Sequence, residues 1–167
     1  MKSNTDEKYE RLDELAENED WPEELNRITD RLKEIDWFSE YREQLWRARD
    51  EGHRATVIIL LNTFFEAYLY DAFKQYYREK GLTDDELFFI EKMNHNQILD
   101  QSRQTGILSE NNYRILKNLN MARNSYAHDL LNWTPSNTTE IEEQGEVEAA
   151  FQLHQDILLN GSQVLSE

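Results

Sequence analysis

The chain contains no cysteine. Disulfides and thiolate-held metal sites are therefore excluded. There is no run of 18 or more consecutive apolar residues. The opening MKSNTDEKYE also lacks the apolar centre of a signal peptide. A soluble, cytoplasmic protein with no membrane partner is expected. Several chemical signatures are missing as well: no P-loop, no GxGxxG, no GxSxG elbow and no HExxH or other close-spaced histidine pair. The histidines are His53, His95, His128 and His154. His154 lies on an apolar helix face and reads as a core or interface residue. His53 and His95 lie near helix starts and read as surface residues. Zinc-finger spacings and a basic recognition helix are absent, so sequence readout of DNA is not expected. No metal and no cofactor is expected.

Basic charge is scarce. Lys and Arg number 18 against 34 Asp and Glu, for a net charge of −16. Such a balance usually argues against a nucleic-acid partner. Disorder would be one explanation, but 38% hydrophobic and 11% aromatic residues argue otherwise. The reading adopted is a halophilic, solvated acidic shell. At molar salt the Debye length falls to about 3 Å, so local charges rather than the global sum decide what binds.

What is present is helical periodicity over a length that suits one domain with an added segment. Apolar stripes predict helices at about 22–35, 39–50, 54–80, 84–104, 110–130 and 140–164, with a short helix over 6–17. Asn94 is expected to interrupt or cap the fourth of the six, and Thr83 with Glu86 makes a capping box. Residues 54–80 form the longest and most apolar helix, apolar all round from Val57 to Leu61, and should be central. The fold class expected is all-α: an up-and-down bundle of about four core helices, with additional N-terminal helices packed outside. Residues 1–53 form that N-terminal segment, and residues 54–165 form the bundle.

One stretch stands out, Ser109 to Trp133 (SENNYRILKNLNMARNSYAHDLLNW). Ser109 is an N-cap. Ile115, Leu116, Leu119, Ala122, Tyr126 and Leu130 share an apolar arc, with Arg123 near its middle. A guanidinium there cannot shed its charge and is costly to bury unpaired. Asn120, Asn124 and His128 follow at i, i+4 and i+8 as a polar stripe beside it. In a structural reading Arg123 bends out to a neighbouring carboxylate, while Asn124 and His128 cap the helix.

The string Arg123-Asn124-Ser125-Tyr126-Ala127-His128 resembles the R-x4-6-H motif of the HEPN superfamily, small all-helical domains that include many RNA-cleaving toxins of prokaryotes. In that family a polar residue, often Asn, follows the Arg, as Asn124 does here. The motif lies late in the third of four core helices, and the resemblance covers roughly residues 54 to 165. It implies catalytic roles for Arg123 and His128, met with a second copy across the two-fold axis of a homodimer. An acidic residue in the long helix is common in the family. Glu66 is the candidate here, read either as a solvent-facing side chain or as a buried partner for Arg123.

The residue types suit metal-independent RNA cleavage. The ribose 2′-OH attacks the adjacent phosphate, leaving a 2′,3′-cyclic phosphate and a 5′-OH. His128 can move a proton near neutral pH, and Arg123 can brace the extra negative charge with its fork. Asn124 can orient His128 or bond a phosphate oxygen. Tyr126 can offer its hydroxyl to substrate or simply pack. Asn120 completes the supporting set. The leading expectation is a toxin or antiviral defence effector acting on RNA. The alternative is a non-catalytic dimerisation or interaction module. Either can be the partner of a protein antitoxin of nucleotidyltransferase type.

Overall fold

The computed structural model describes residues 10–12, 14, 15, 22, 37–128 and 140–167. Every regular element among them is helical. Helix α1 spans Trp37–Asp50, α2 spans Arg54–Glu79, α3 spans His95–Gln104, α4 spans Glu110–His128 and α5 spans Glu140–Asn160. Two 3₁₀ helices, Glu86–Lys92 and Ser162–Leu165, complete the order. The protein is an all-α helical bundle. The helix expected at 22–35 lies outside the described residues except for Pro22.

Helix α2 is the axis of the bundle. It packs against α1, α3, α4, α5 and the first 3₁₀ helix. Val57, Ile58, Leu61, Phe64, Phe65, Tyr68, Leu69 and Phe73 are buried along it. Their β-branched start does not make a strand, because the 3.6-residue period continues for seven turns and supplies burial on several sides. By length and composition α2 alone among the described helices could cross a membrane, but 56% of its most apolar window is buried inside the bundle.

Helix α1 is built into the same core. Tyr41, Leu45 and Ala48 of α1 join the cluster of α2 and α5. Trp46 meets Phe151 edge to face at 4.9 Å, and the Arg49 guanidinium covers the Phe151 ring at 4.4 Å. The chain then reverses through Gly52, whose φ of +72° favours a residue without Cβ.

The region expected as one helix over 84–104 is two elements. Glu86–Lys92 winds as 3₁₀, which sets Leu87 and Ile90 on one buried side at a spacing of three. Phe88, on the other side of that turn, is exposed. Glu86 accepts from the Thr83 backbone N–H at 2.8 Å and from its hydroxyl at 2.9 Å. The Thr83 hydroxyl thus donates to the carboxylate rather than capping a backbone N–H, so only half of a capping box forms. The full box lies one element later. Asn94 accepts from the Gln97 N–H at 3.0 Å, and Gln97 accepts from the Asn94 N–H at 2.9 Å.

Helix α4 starts as its sequence demands, with the Ser109 hydroxyl accepting from the Asn112 N–H at 3.2 Å. The Asn112 side-chain amide donates to the carbonyls of Val164 and Leu165 at 2.9 and 3.1 Å. These bonds seat the second 3₁₀ helix against the start of α4. The expected final helix to 164 breaks at Gly161, whose φ is +78°, and resumes as 3₁₀.

Candidate functional site

The buried stripe of α4 is Asn112, Leu116, Leu119 and Asn120. Arg123 continues it, three residues beyond Asn120 and four beyond Leu119, and is half-buried. The helix therefore carries a permanently charged group to the rim of its own core stripe. Its Nη1 donates to Oδ1 of Asn124 at 3.0 Å. Among the described residues no carboxylate forms an ion pair with it.

Glu66 does not hold Arg123. It lies on the exposed face of α2 with Ile59 and Thr63, and among the described residues no ion pair joins it to Arg123. The helix wheel explains the position. Leu61, Phe65, Tyr68 and Leu69 take the buried phase of α2, which turns Glu66 to solvent. The solvent-facing reading holds and the buried-partner reading does not.

Asn120, expected at the edge of the apolar face, is only 4% exposed. Its side-chain N–H donates to Oδ1 of Asn96 in the first turn of α3 at 3.0 Å. Further along the same face, Asp100 of α3 accepts from the Tyr113 hydroxyl at 2.7 Å and from Lys117 at 3.3 Å. These bonds draw the Asp100 carboxyl below its ordinary range, the Tyr113 hydroxyl contributing most. They also define a register. The helices run antiparallel, residues 113 and 117 facing 100, and 120 facing 96. One more turn of α4 brings Arg123 and Asn124 alongside the start of α3.

His95 opens α3 at this place. It was expected at the surface, yet it is only 8% exposed. Both of its ring nitrogens are buried without a hydrogen-bond partner. Burial first, then the charges of Arg123 and Lys117, push its pKa down to about 4, so the ring is neutral at pH 7. The sequence held the signal: His95, Ile98, Leu99 and Ser102 fall at i, i+3, i+4 and i+7, and all four are buried.

Tyr126 is half-buried and packs against the core, as the packing alternative holds. Helix α4 remains helical to His128, so Arg123 and His128 lie about 140° apart around it and about 7.5 Å apart along it. One helix cannot present both to a single atom group without distortion, whereas two facing copies can. The His128 side chain lies outside the described residues. His154, read as a core or interface residue, is buried between Tyr41, Phe64 and Phe151, and His53 is exposed.

The site is thus a cation at the mouth of a helix N-terminus, edged by amides and a neutral imidazole, in an all-α bundle. Such a place can hold an anion through charge-assisted hydrogen bonds. Among the described residues no group of three His, Asp or Glu side chains is placed to hold a metal ion. No protein-family model, no curated protein and no solved structure matches the chain.

Proposed function

We propose that the protein is a metal-independent endoribonuclease of HEPN type, a toxin or antiviral defence effector in a salt-adapted cytoplasm. Its composite site is completed by a second copy of α4 across a homodimer axis. The observation that carries the reading is Arg123: half-buried, fully charged and, among the described residues, hydrogen-bonded to its neighbour Asn124 with no acidic partner. A structural arginine at that depth is expected to take an acidic partner. A free guanidinium suits the extra negative charge of a pentacoordinate phosphate.

In this reading a histidine at 128 removes the 2′-OH proton or protonates the leaving 5′ oxygen. Arg123 braces the phosphoryl oxygens. Asn124, joined to Arg123, fixes the direction of its fork. The dimer draws support from Met121, which is 60% exposed on the outer stripe of α4, one turn before Ser125. A large apolar side chain so placed also favours the second reading, a non-catalytic dimerisation module that partners an antitoxin. The two part on products. The nuclease yields fragments ending in 2′,3′-cyclic phosphate in the presence of EDTA, and the module leaves RNA whole.

A further inference from the structure

A pocket of about 410 Å³ opens between the second half of α2, the first 3₁₀ helix and α3. That is the small end of the range that holds small ligands, about 300–1,000 Å³. Its lining is of two kinds. Phe73, Tyr77 and Phe89 form an aromatic side. Tyr77 stands edge to face with both neighbours, its ring centre 5.0 Å from that of Phe73 and 5.6 Å from that of Phe89. Phe73 is buried, but Phe89 is 44% exposed, a ring that the core does not use. Gln97, Gln101 and Gln104 form the other side. They fall at i, i+4 and i+7, so one face of α3 carries them all. Their amides are only half used. Gln97 Oε1 accepts from the Asn94 N–H at 2.9 Å, and Gln101 Nε2 donates to Gln104 Oε1 at 3.2 Å. The Nε2 donors of Gln97 and Gln104, the Gln101 Oε1 acceptor and the Tyr77 hydroxyl have no partner among the described residues. Asp100 also lines the pocket, with its charge met by Lys117 and its Oδ1 taken by Tyr113.

We infer that this pocket takes a nucleobase, stacked on the exposed Phe89 ring, with its polar edge on the amides of Gln97, Gln101 and Gln104. The chemistry of the lining carries the assignment. A base is planar, with a π-face that stacks on an aromatic side chain and an edge that sets donors beside acceptors. The pocket offers a ring for the face, and both donors and an acceptor for the edge. An apolar peptide side chain would use the rings and leave the amides idle. Lys92 supplies a cation for the phosphate that follows the base. It shares the Phe89 side of the 3₁₀ helix at a spacing of three, and it has no carboxylate partner among the described residues. Its Nζ lies 4.8 Å over the Phe88 ring. The pocket uses no residue of the R-x4-6-H string, so base binding goes beyond cleavage. The ribonuclease reading supplies only the source of the base, an RNA strand rather than a free nucleotide.

The test is an NMR titration of the ¹⁵N-labelled full-length protein at fixed ionic strength, read at the side-chain amides of Gln97, Gln101 and Gln104. The probes are uncleavable 2′-O-methyl tetranucleotides, the four nucleoside 5′-monophosphates and decaproline. The nucleotides should shift these signals saturably. Phe89→Ala should weaken binding about 5-fold or more, the usual cost of losing one base–aromatic stack, and Phe89→Trp should keep it. Because Phe89 is partly exposed, the melting temperature of Phe89→Ala should hold, which separates a lost stack from a lost fold. Gln101→Leu should weaken binding and change the order of preference among the bases. Tighter binding of a tetranucleotide assigns the base to an RNA strand, and equal binding of a monophosphate assigns it to a free nucleotide. The absence of saturable shifts with every nucleotide, or unchanged affinity in Phe89→Ala, would overturn the inference. Shifts with decaproline alone would overturn it in favour of a peptide groove. RNA cleavage without these shifts sinks the base pocket and leaves the nuclease, whereas the shifts without cleavage sink the nuclease and leave the pocket.

Discussion

The side-chain amide of Asn120 donates to that of Asn96 across 3.0 Å, and with the Asp100 contacts to Tyr113 and Lys117 this bond sets what α4 presents to α3. It lies between the Lys117–Asp100 contact and the last described turn of α4, so it fixes the register of Arg123 against the start of α3. Asn120 is buried and Asn96 is exposed. The bond therefore joins the core to the rim of the bundle.

The two buried histidines make the fold sensitive to mild acid. Burial, with help from the Arg42 charge, pushes His154 down to about 3, and His95 stands at about 4. In the unfolded chain each titrates near 6.5. From about pH 6.5 down to the folded values the unfolded state holds more protons, so stability is full above that window and falls as pH falls through it. At pH 5 the loss is on the order of 2 kcal/mol for each histidine. Denaturant melts at pH 7 and pH 5 should show it. His154→Phe, matched to its aromatic surroundings, should remove about half of the slope. Equal stability at both pH values would contradict the burial of both rings.

Met121 separates monomer folding from assembly. Because it is 60% exposed, Met121→Glu should leave the melting temperature of a dilute sample nearly unchanged, within about 0.5 kcal/mol. It should weaken the homodimer seen by light scattering. Leu116→Ala, at a fully buried site on the same helix, should instead cost about 2–5 kcal/mol. A dimer untouched by Met121→Glu would move the interface off this stripe.

The acidic surplus predicts salt dependence. With 34 acidic against 18 basic residues, lowering KCl from molar to low levels should lower the melting temperature as carboxylates repel one another. A melting temperature that stays constant across that range would remove the halophilic reading.

Much of the fold was legible because apolar stripes repeat at helical spacing, and the central place of α2 followed from its all-round apolarity. That same property concealed the phase of its wheel. Ile59 is exposed despite its apolar run, and Glu66, seven residues on, is exposed with it. The 3₁₀ turn of Glu86–Lys92 was hidden because Leu87 and Ile90 fit either period. At the site, Arg123 was readable from its place on the apolar arc and Asn124 from the polar stripe beside it. His95 was misread because a residue beside a cap looks exposed until the partner helix is known. The Asn120–Asn96 bond spans 24 positions, and nothing local announces such a pairing.

The most direct test of the central claim is cleavage of a mixed RNA in EDTA by the purified wild-type protein and by Arg123→Ala, with dimerisation of both checked by light scattering. Loss of one electrostatic donor at a phosphoryl transition state typically costs on the order of 100-fold or more in rate. Wild type should cut in EDTA and leave 2′,3′-cyclic phosphate ends, while Arg123→Ala, still folded and dimeric, should be slower by that factor. Equal cleavage by the two, or cleavage that appears only when Mg²⁺ is supplied, would contradict the account.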